Sequence, residues 1–281
     1  MDVVRDIAEL RGTLDPVRHR VIGLVPTMGN LHAGHVSLVR ACTLACDVSV
    51  VSIFVNPTQF GPNEDFASYP RTLTDDLRLL AHNGADVVFE PPVDVMYPEG
   101  RENHVTIAVP SLAHTLCGAA RPGHFDGVAT VVAKLFNIVT PDKAFFGEKD
   151  WQQLTLIRTM VRQLDMPVVV EGVPTVRETS GLAMSSRNNY LSDEERQRAA
   201  LINRVLTGMK KAVEQGEKDY ASAEARGHRV LTEAGFDVDY VAVRDAERLV
   251  VPDADTRTLR ILAAARLGGA RLIDNVGVEM P

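Results

Sequence analysis

Short apolar runs alternate with longer amphipathic segments through the first two thirds of the chain, and no other feature limits the possible folds so sharply. The runs "RVIGLVPT", "DVSVVSIFVN", "ADVVFEP", "KAFFGEKD" and "MPVVVEGV" are rich in Val, Ile and Phe and are bounded by Pro, Gly or Asn. Those are the marks of buried strands. Between them, "HAGHVSLVRACTLA", "TLTDDLRLLAHNG", "FDGVATVVAKLFNIV" and "WQQLTLIRTMVRQL" place apolar residues at helical spacing. Strands that are apolar throughout need cover on both faces. The alternation therefore predicts an α/β fold, a doubly wound parallel sheet with helices on either side. Ligands of such sheets sit beyond the carboxyl ends of the strands, so each loop that leaves a strand is a place to look for chemistry.

The pattern changes near residue 175. "SDEERQRAALINRVLTGMKKAVEQG" reads as one long charged amphipathic helix, with Ser192 as N-cap and Glu195 completing a capping box. A second helix is expected over about 219–234. "FDVDYVAVRDAERL" and "TLRILAAARLGGARLIDNVGV" then read as strands of a small sheet. The expected division is a sheet domain over 1–175 and a smaller α+β C-terminal domain over 176–281.

Composition narrows the function classes. With 30 basic against 37 acidic side chains the net charge is −7. A field of that sign repels polyanions, so nucleic acid is not expected as the partner, although a local basic pocket can still hold a small anion. No stretch approaches the ~18 uninterrupted apolar residues of a membrane span, and "MDVVRDIAELRG" lacks the apolar run of a signal peptide. The three cysteines, Cys42, Cys46 and Cys117, form no disulfide framework and fit a reducing, cytoplasmic setting. Cys42 and Cys46 lie four apart on a predicted helix and read as small apolar residues, because no second ligand pair follows at zinc-site spacing.

Four loops carry the polar chemistry. "MGNLHAGH" joins a strand to a helix, whose first turn offers unpaired amides and the positive end of its dipole. His32 and His35 add imidazole donors there, and Gly34 allows close backbone approach. Zinc is the weaker reading of this pair, since no third ligand is fixed by local spacing. In "FVNPTQFGPNEDF", Gln59 follows a buried strand and can both donate and accept. "FFGEKDWQQL" repeats the strand–glycine–helix geometry. Its Lys149 is a point charge for phosphate, Asp150 a helix cap or ribose partner, and either Gln152 or Gln153 can face a ligand. "GLAMSSRNNYL" places Ser185, Ser186 and Arg187 in one loop, two hydroxyls and a guanidinium suited to phosphate oxygens. Three phosphate-seeking loops at such positions converge on one nucleotide. Two features stay open: Asp75 and Asp76, read as helix-start caps or indirect metal holders, and Arg121 or His124 of "RPGHFDGV" as a substrate contact.

The "HAGH" of residues 32–35 resembles the His-x-Gly-His signature of adenylate-forming and nucleotidylyl-transfer enzymes, and "MSSR" resembles their mobile Lys-Met-Ser-Lys-Ser loop. "PTMGNLHAGH", "SIFVNPTQFGPNEDF", "YPRTLTDD", "RPGHFDGV", "FGEKDWQQL", "SSRNNYL" and "ARLIDN", in that order, are similar to the pantoate–β-alanine ligase family over about residues 20–277. The resemblance implies a Rossmann-like N-terminal domain, a C-terminal lid domain and a homodimer. It implies that ATP, pantoate and β-alanine give pantothenate, AMP and pyrophosphate through pantoyl adenylate, with Mg²⁺ on the phosphates. By motif, ATP falls to Met28, Gly29, Asn30, Leu31, His32, Ala33, Gly34 and His35 in the first loop. It falls also to Gly147, Glu148, Lys149 and Asp150, to Val176, and to Met184, Ser185, Ser186 and Arg187. The catalytic set is His35, His32, Lys149 and Arg187, while Gln59 takes pantoate and then β-alanine, and Gln153 takes pantoate. Met184 departs from the basic character common in that loop, which leaves the positive charge to Lys149 and Arg187.

Overall fold

The computed structural model describes residues 1–62, 64 and 66–279. The chain divides into two compact units, one of Met1–Glu148 with Leu156–Pro174, the other of Lys149–Thr155 with Thr175–Pro281.

The first unit is built on a six-stranded parallel sheet: β1 (Asp2–Val4), β2 (Ile22–Thr27), β3 (Val48–Ile53), β4 (Val87–Phe89), β5 (Lys143–Gly147) and β6 (Val169–Val173), in the order β1-β4-β3-β2-β5-β6. Its helices are α1 (Ile7–Leu14), α2 (Ala33–Ala45), α3 (Leu73–His82), the single turns α4 (Val93–Met96), α5 (Pro110–Ala113) and α6 (Cys117–Ala120), and α7 (His124–Val139). Helix α8 (Trp151–Gln163) starts in the second unit and continues into the first. β3 is buried at every position, as a central parallel strand covered on both faces must be. Val25, Val51, Val88 and Phe145 pack with Leu38, Val39 and Cys42 of α2 and Leu80 of α3. The alternate residues Leu24 and Val50, fully buried, point to the opposite face, where α7 meets β2 and α1 meets α7. Cys42 is a core residue, and burial, reinforced by neighbouring Cys46, pushes its thiol well above the usual range.

From β2 the chain winds outward through β3 and β4, then returns to add β5 and β6 on the other side of β2. That makes the gap between the carboxyl ends of β2 and β5 the topological switch point, where such sheets bind ligands. Thr27 and Gly147 stand at its two rims. β1 and α1 were not foreseen in the sequence pattern. A three-residue edge strand is too short to show a period of its own.

The second unit carries α9 (Asp193–Ala199), α10 (Leu201–Glu214), α11 (Tyr220–Glu233) and an antiparallel sheet, β7 (Asp237–Asp245), β8 (Thr258–Leu267) and β9 (Ala270–Glu279), ordered β7-β8-β9. The single helix expected over 192–216 is two, broken at Ala200. Ala199 and Ala200 both lie in the core with Ile202, Leu206 and Met209. The bend keeps their apolar side on it while the charged Asp193–Arg198 turns face water. The capping box of Ser192 and Glu195 is present as expected. Trp151 ties the start of α8 to this unit. Its Nε1 donates to Ala246 O at 2.9 Å, and the Arg260 guanidinium stacks on its ring at 3.5 Å.

Candidate active site

The turn after β2 is held by its own groups together with Ser52 of β3 and Asp76 of α3. Thr27 Oγ1 donates to Ser52 O at 2.7 Å and accepts from Gly29 N at 3.2 Å. Gly29 and Asn30 are left-handed, with φ of 78° and 51°, which brings the next amides round to one side. Asn30 N and Leu31 N donate to the two oxygens of the buried Asp76 carboxylate, at 2.9 and 2.8 Å. His32 N donates to His35 Nδ1 at 3.3 Å and Gly34 N to His32 Nδ1 at 3.0 Å, and the two histidines complete a reciprocal capping box at the start of α2.

Two consequences follow. The sequence pattern pointed to bare helix-start amides as the anion donors, but His32 N at the N-cap and Gly34 N in the first turn already have acceptors within the chain, as do Gly29 N, Asn30 N and Leu31 N just before them. And an Nδ1 that accepts from an amide carries no proton, so each ring is the neutral tautomer with its hydrogen on Nε2. The ring centroids are 4.2 Å apart, with the ring planes tilted by 44°.

Gln59 lies in the 3-10 turn Pro57–Gln59 after β3. Asn56, 1% exposed, organises it. Asn56 Nδ2 donates to Gln59 Oε1 at 3.0 Å and to Gly127 O at 3.1 Å, while Asn56 Oδ1 accepts from Thr58 Oγ1 at 3.0 Å and from Tyr97 Oη at 2.8 Å. With its oxygen engaged, Gln59 directs its amide Nε2 to Met28 Sδ at 3.2 Å. The structure thus brings Gln59 and Met28 together, one strand apart. Arg121 and His124 brace the same turn from α7 and the segment before it. His124 Nδ1 donates to Gln59 O at 2.8 Å, leaving Nε2 to accept from Arg121 Nη1 at 2.8 Å. Arg121 also grips Glu64 with two bonds of 2.6 and 2.5 Å. Burial alone would raise the Glu64 carboxyl, but the Arg121 hydrogen bonds and charge outweigh it and hold it below its usual value. Burial likewise pushes the Tyr97 phenol up, against the hydrogen bond with Thr58. Asn63 and Asp65 of the same motif lie outside the described residues.

In the second unit, Lys149 pairs with Asp150 at 3.7 Å, and its carbonyl accepts from Asn275 Nδ2 at 2.8 Å. Gln152 is buried and Gln153 half-buried on the first turn of α8. Val176 and Met184 are brought side by side, because Met184 N donates to Val176 O at 3.0 Å. Ser185 caps the short 3-10 turn Ser186–Tyr190 by accepting from Arg187 N. Beneath it, Asn188 donates to Glu178 and to Ala183 O, Glu178 pairs with Arg196, and Arg177 makes a bidentate pair with Asp274 at 2.6 and 2.9 Å. Ser185–Arg187 therefore rest on a fixed polar base. Gly147 and Glu148 end the first unit's contribution at β5.

Asn56, Tyr97 and Glu64 are organising residues the sequence reading did not assign, and Asp76 is one to which it assigned a different role. Asn-Pro-Thr carried a signal for the first, an Asx turn in which Asn56 Oδ1 accepts from its neighbour two positions on. Asp76 corrects an expectation. Neither Asp75 nor Asp76 caps α3 with its side chain. Asp75 is exposed and pairs with Arg78, while Asp76 reaches back to the β2 turn.

The chain matches the family model for pantoate–β-alanine ligase over residues 2–277. It belongs to the pantoate–β-alanine ligase family. Among that family's members it is 54% identical to the pantothenate synthetase of Methylococcus capsulatus over all of this chain and 99% of the other, and 50% identical to that of Azotobacter vinelandii over all of both. The crystal structure of the Thermus thermophilus pantothenate synthetase superposes with a TM-score of 0.92 at 46% identity, covering 98% of this chain and 99% of that one. A pantoate–β-alanine ligase from Francisella tularensis, crystallised with a β,γ-ATP and β-alanine, superposes with a TM-score of 0.83 at 35% identity, over 98% and 97% of the two chains. The fold of this ligase is that of its family, the parallel sheet with a small antiparallel sheet after it.

Proposed function

We propose that the chain condenses pantoate with β-alanine to give pantothenate, using ATP and releasing AMP and pyrophosphate through pantoyl adenylate. One observation carries the reading: the Gln59 amide, oriented by Asn56, meets Met28 at the head of the His-x-Gly-His turn, at the carboxyl ends of neighbouring strands. That pairs a carboxylate- and hydroxyl-recognising amide with two imidazole N–H donors. The ATP and β-alanine in the Francisella relative support the choice of substrates.

In the first step a pantoate carboxylate oxygen attacks the α-phosphorus of ATP. The new acyl–phosphate bond forms as the bond to the pyrophosphate oxygen breaks. Negative charge moves onto the leaving group, where His32 and His35 donate from Nε2, with Lys149, Ser186 and Arg187 as further donors. Ser185, Val176 and Met184 belong to the same ATP assignment, as do Met28–His35 and Gly147–Asp150. In the second step the neutral amine of β-alanine attacks the acyl carbon, loses its proton and expels AMP. Gln59 holds pantoate and then β-alanine, and Gln153 binds pantoate. No protein nucleophile is required.

Mg²⁺ fits the donors present, because such an ion binds chiefly through phosphates and waters with one or two carboxylates. Glu148 and Asp150 are the partly exposed carboxylates of the Gly147–Asp150 segment. When bound, the ion would offset polyphosphate charge. Homodimer formation and a cytoplasmic setting belong to the same proposal; among the described residues no helix is long and apolar enough to cross a membrane. The test is one incubation with ATP, Mg²⁺, pantoate and β-alanine, with single omissions. AMP should appear in proportion to pantothenate only in the complete mixture. Conversion to ADP, or AMP release that ignores pantoate, would refute the reading.

A further inference from the structure

Asp76 is 3% exposed and spends its carboxylate on a different segment of chain. Its two oxygens take the amides of Asn30 and Leu31, and Oδ1 also accepts from Thr72 Oγ1 at 3.2 Å. Consecutive amides in a turn can form a concave cradle of the kind that ordinarily holds an external anion. Here the anion is the chain's own. Asn30 adopts a left-handed backbone here, a conformation asparagine tolerates better than other residues with a Cβ. A substitution at Gly29 would be strained, since its φ of 78° suits glycine and an added Cβ would crowd Asp76 Oδ2 at 3.0 Å and Ile53 Cγ2 at 3.1 Å.

Packing alone does not fix the turn. Behind it lies a cavity of about 190 Å³ lined by Met28, Gly29, Thr72, Asp76 and Glu90 among others. With space on that side, the two amide–carboxylate bonds join the Gly29 N–Thr27 Oγ1 bond in fixing the direction of the chain between Thr27 and His32, and they hold Asn30 N and Leu31 N. Charge-assisted bonds of this kind are shorter and about twice as strong as neutral ones. The direction matters because His32 starts the capping box two residues on, so a swing of Asn30 and Leu31 moves both Nε2–H donors.

We infer that Asp76 is a positioning residue for the His32–His35 pair: it fills the amide cradle of Asn30 and Leu31 and so aims the two imidazoles. This rests on the proposed ATP role of that pair. A negative charge placed beside a polyphosphate site for no structural reason would repel the nucleotide, so the two explanations of Asp76 differ in sign. Removing the charge should strengthen ATP binding if the carboxylate is only a repulsive neighbour. It should weaken ATP use if the carboxylate aims the donors.

Asp76→Asn is the decisive variant. It keeps the shape but offers one acceptor oxygen and sets an NH₂ against an amide N–H. Thr72→Val and Thr72→Ser grade the effect, the first removing the hydroxyl donor and the second keeping it. Steady-state kinetics with ATP, pantoate and β-alanine varied in turn are read beside thermal unfolding. In Asp76→Asn, kcat/KM for ATP should fall about 10²-fold, the scale for misplacing a reacting arrangement by ~1 Å, with KM for β-alanine within twofold. Thr72→Val should lose about threefold on ATP alone, and Thr72→Ser should match the parent. An unchanged or lower KM for ATP with unchanged kcat in Asp76→Asn overturns the inference. So does a loss that is matched by a smaller folded fraction and leaves the KM for ATP untouched. A parent protein that makes no AMP overturns the proposed function instead, which keeps the two failures apart.

Discussion

Gly127 offers a sharp test of how the Gln59 turn is built. It sits in the first turns of α7, where an added Cβ would lie 2.4 Å from Thr58 O, 2.6 Å from Thr58 C and 2.7 Å from Gln59 N. Carbon contacts are comfortable at about 3.5 Å, so Gly127→Ala must move the Pro57–Gln59 turn or α7 by about 1 Å. The neighbours are backbone atoms and cannot rotate away. Overpacking of this kind costs about 1–3 kcal/mol, offset by the ~0.5–1 kcal/mol that alanine gains over glycine in a helix. The net loss is about 1–2 kcal/mol, a Tm lower by several degrees for a chain of this size. Activity should suffer more than stability, because Asn56 Nδ2 bonds Gly127 O and Gln59 Oε1 together. Displacing that junction by ~1 Å should cut kcat/KM for pantoate about 10²-fold. Gly208→Ala in α10 is the control, since nothing lies within 4 Å of its added Cβ, and it should match the parent or be up to ~1 kcal/mol more stable. A Gly127→Ala protein with kcat/KM within threefold of the parent would refute the claim that close approach of α7 sets the Gln59 amide.

Three further outcomes are expected. His35→Ala should lower turnover about 10²–10³-fold, the scale for losing one donor to developing charge, whereas near-normal single-turnover adenylation would remove His35 from the chemistry. Asn56→Asp replaces the two donated bonds to Gln59 Oε1 and Gly127 O with facing acceptors and should destabilise by about 1–3 kcal/mol or more in urea unfolding; a variant as stable as the parent at pH 7 would contradict the assigned amide orientation. The Arg121–Glu64 pair predicts a pH dependence. Because Glu64 titrates below its usual value in the folded chain, its contribution is complete above the ordinary carboxylate range and fades as pH falls through the lowered value. The stability gap between the parent and Glu64→Gln should therefore be flat near neutrality and close in acid. A gap that widens in acid would exclude the pair as its source.

The sheet was legible in the sequence because its central strands are short, predominantly apolar runs bounded by turn residues while the helices between them repeat at 3.6 residues. β1 escaped because three residues carry no period, and the break at Ala200 escaped because alanine is the best helix former and gives no stop signal. The histidine pair and Gln59 were legible from their places after strands. What joins them was not. Asn56, Tyr97 and Gly127 are 71 positions apart at the extremes, and their bonds depend on how β3 and α7 pack rather than on any local spacing. Asp76 lies 45 and 46 positions from the amides it accepts. On α3 it looks like an ordinary acidic residue of a first turn, which is how the local pattern read it.

The capping box also explains why histidine, rather than serine or asparagine, stands at both positions of this helix start. A serine cap would satisfy an amide and end there, with the helix's positive end buried in the protein's own hydrogen bonds. An imidazole accepts the amide at Nδ1 and presents a donor at Nε2, across the ring. The His32 and His35 rings therefore carry the helix's donor capacity outward by one side chain, and hydrogen bonds arranged in series polarise one another. Because each amide bond to Nδ1 requires that nitrogen to be unprotonated, the same contact that fixes the ring also fixes where its proton lies. In the proposed ATP role, a turn with most of its amides already bonded internally would meet the anion through two side chains whose tautomers those bonds set.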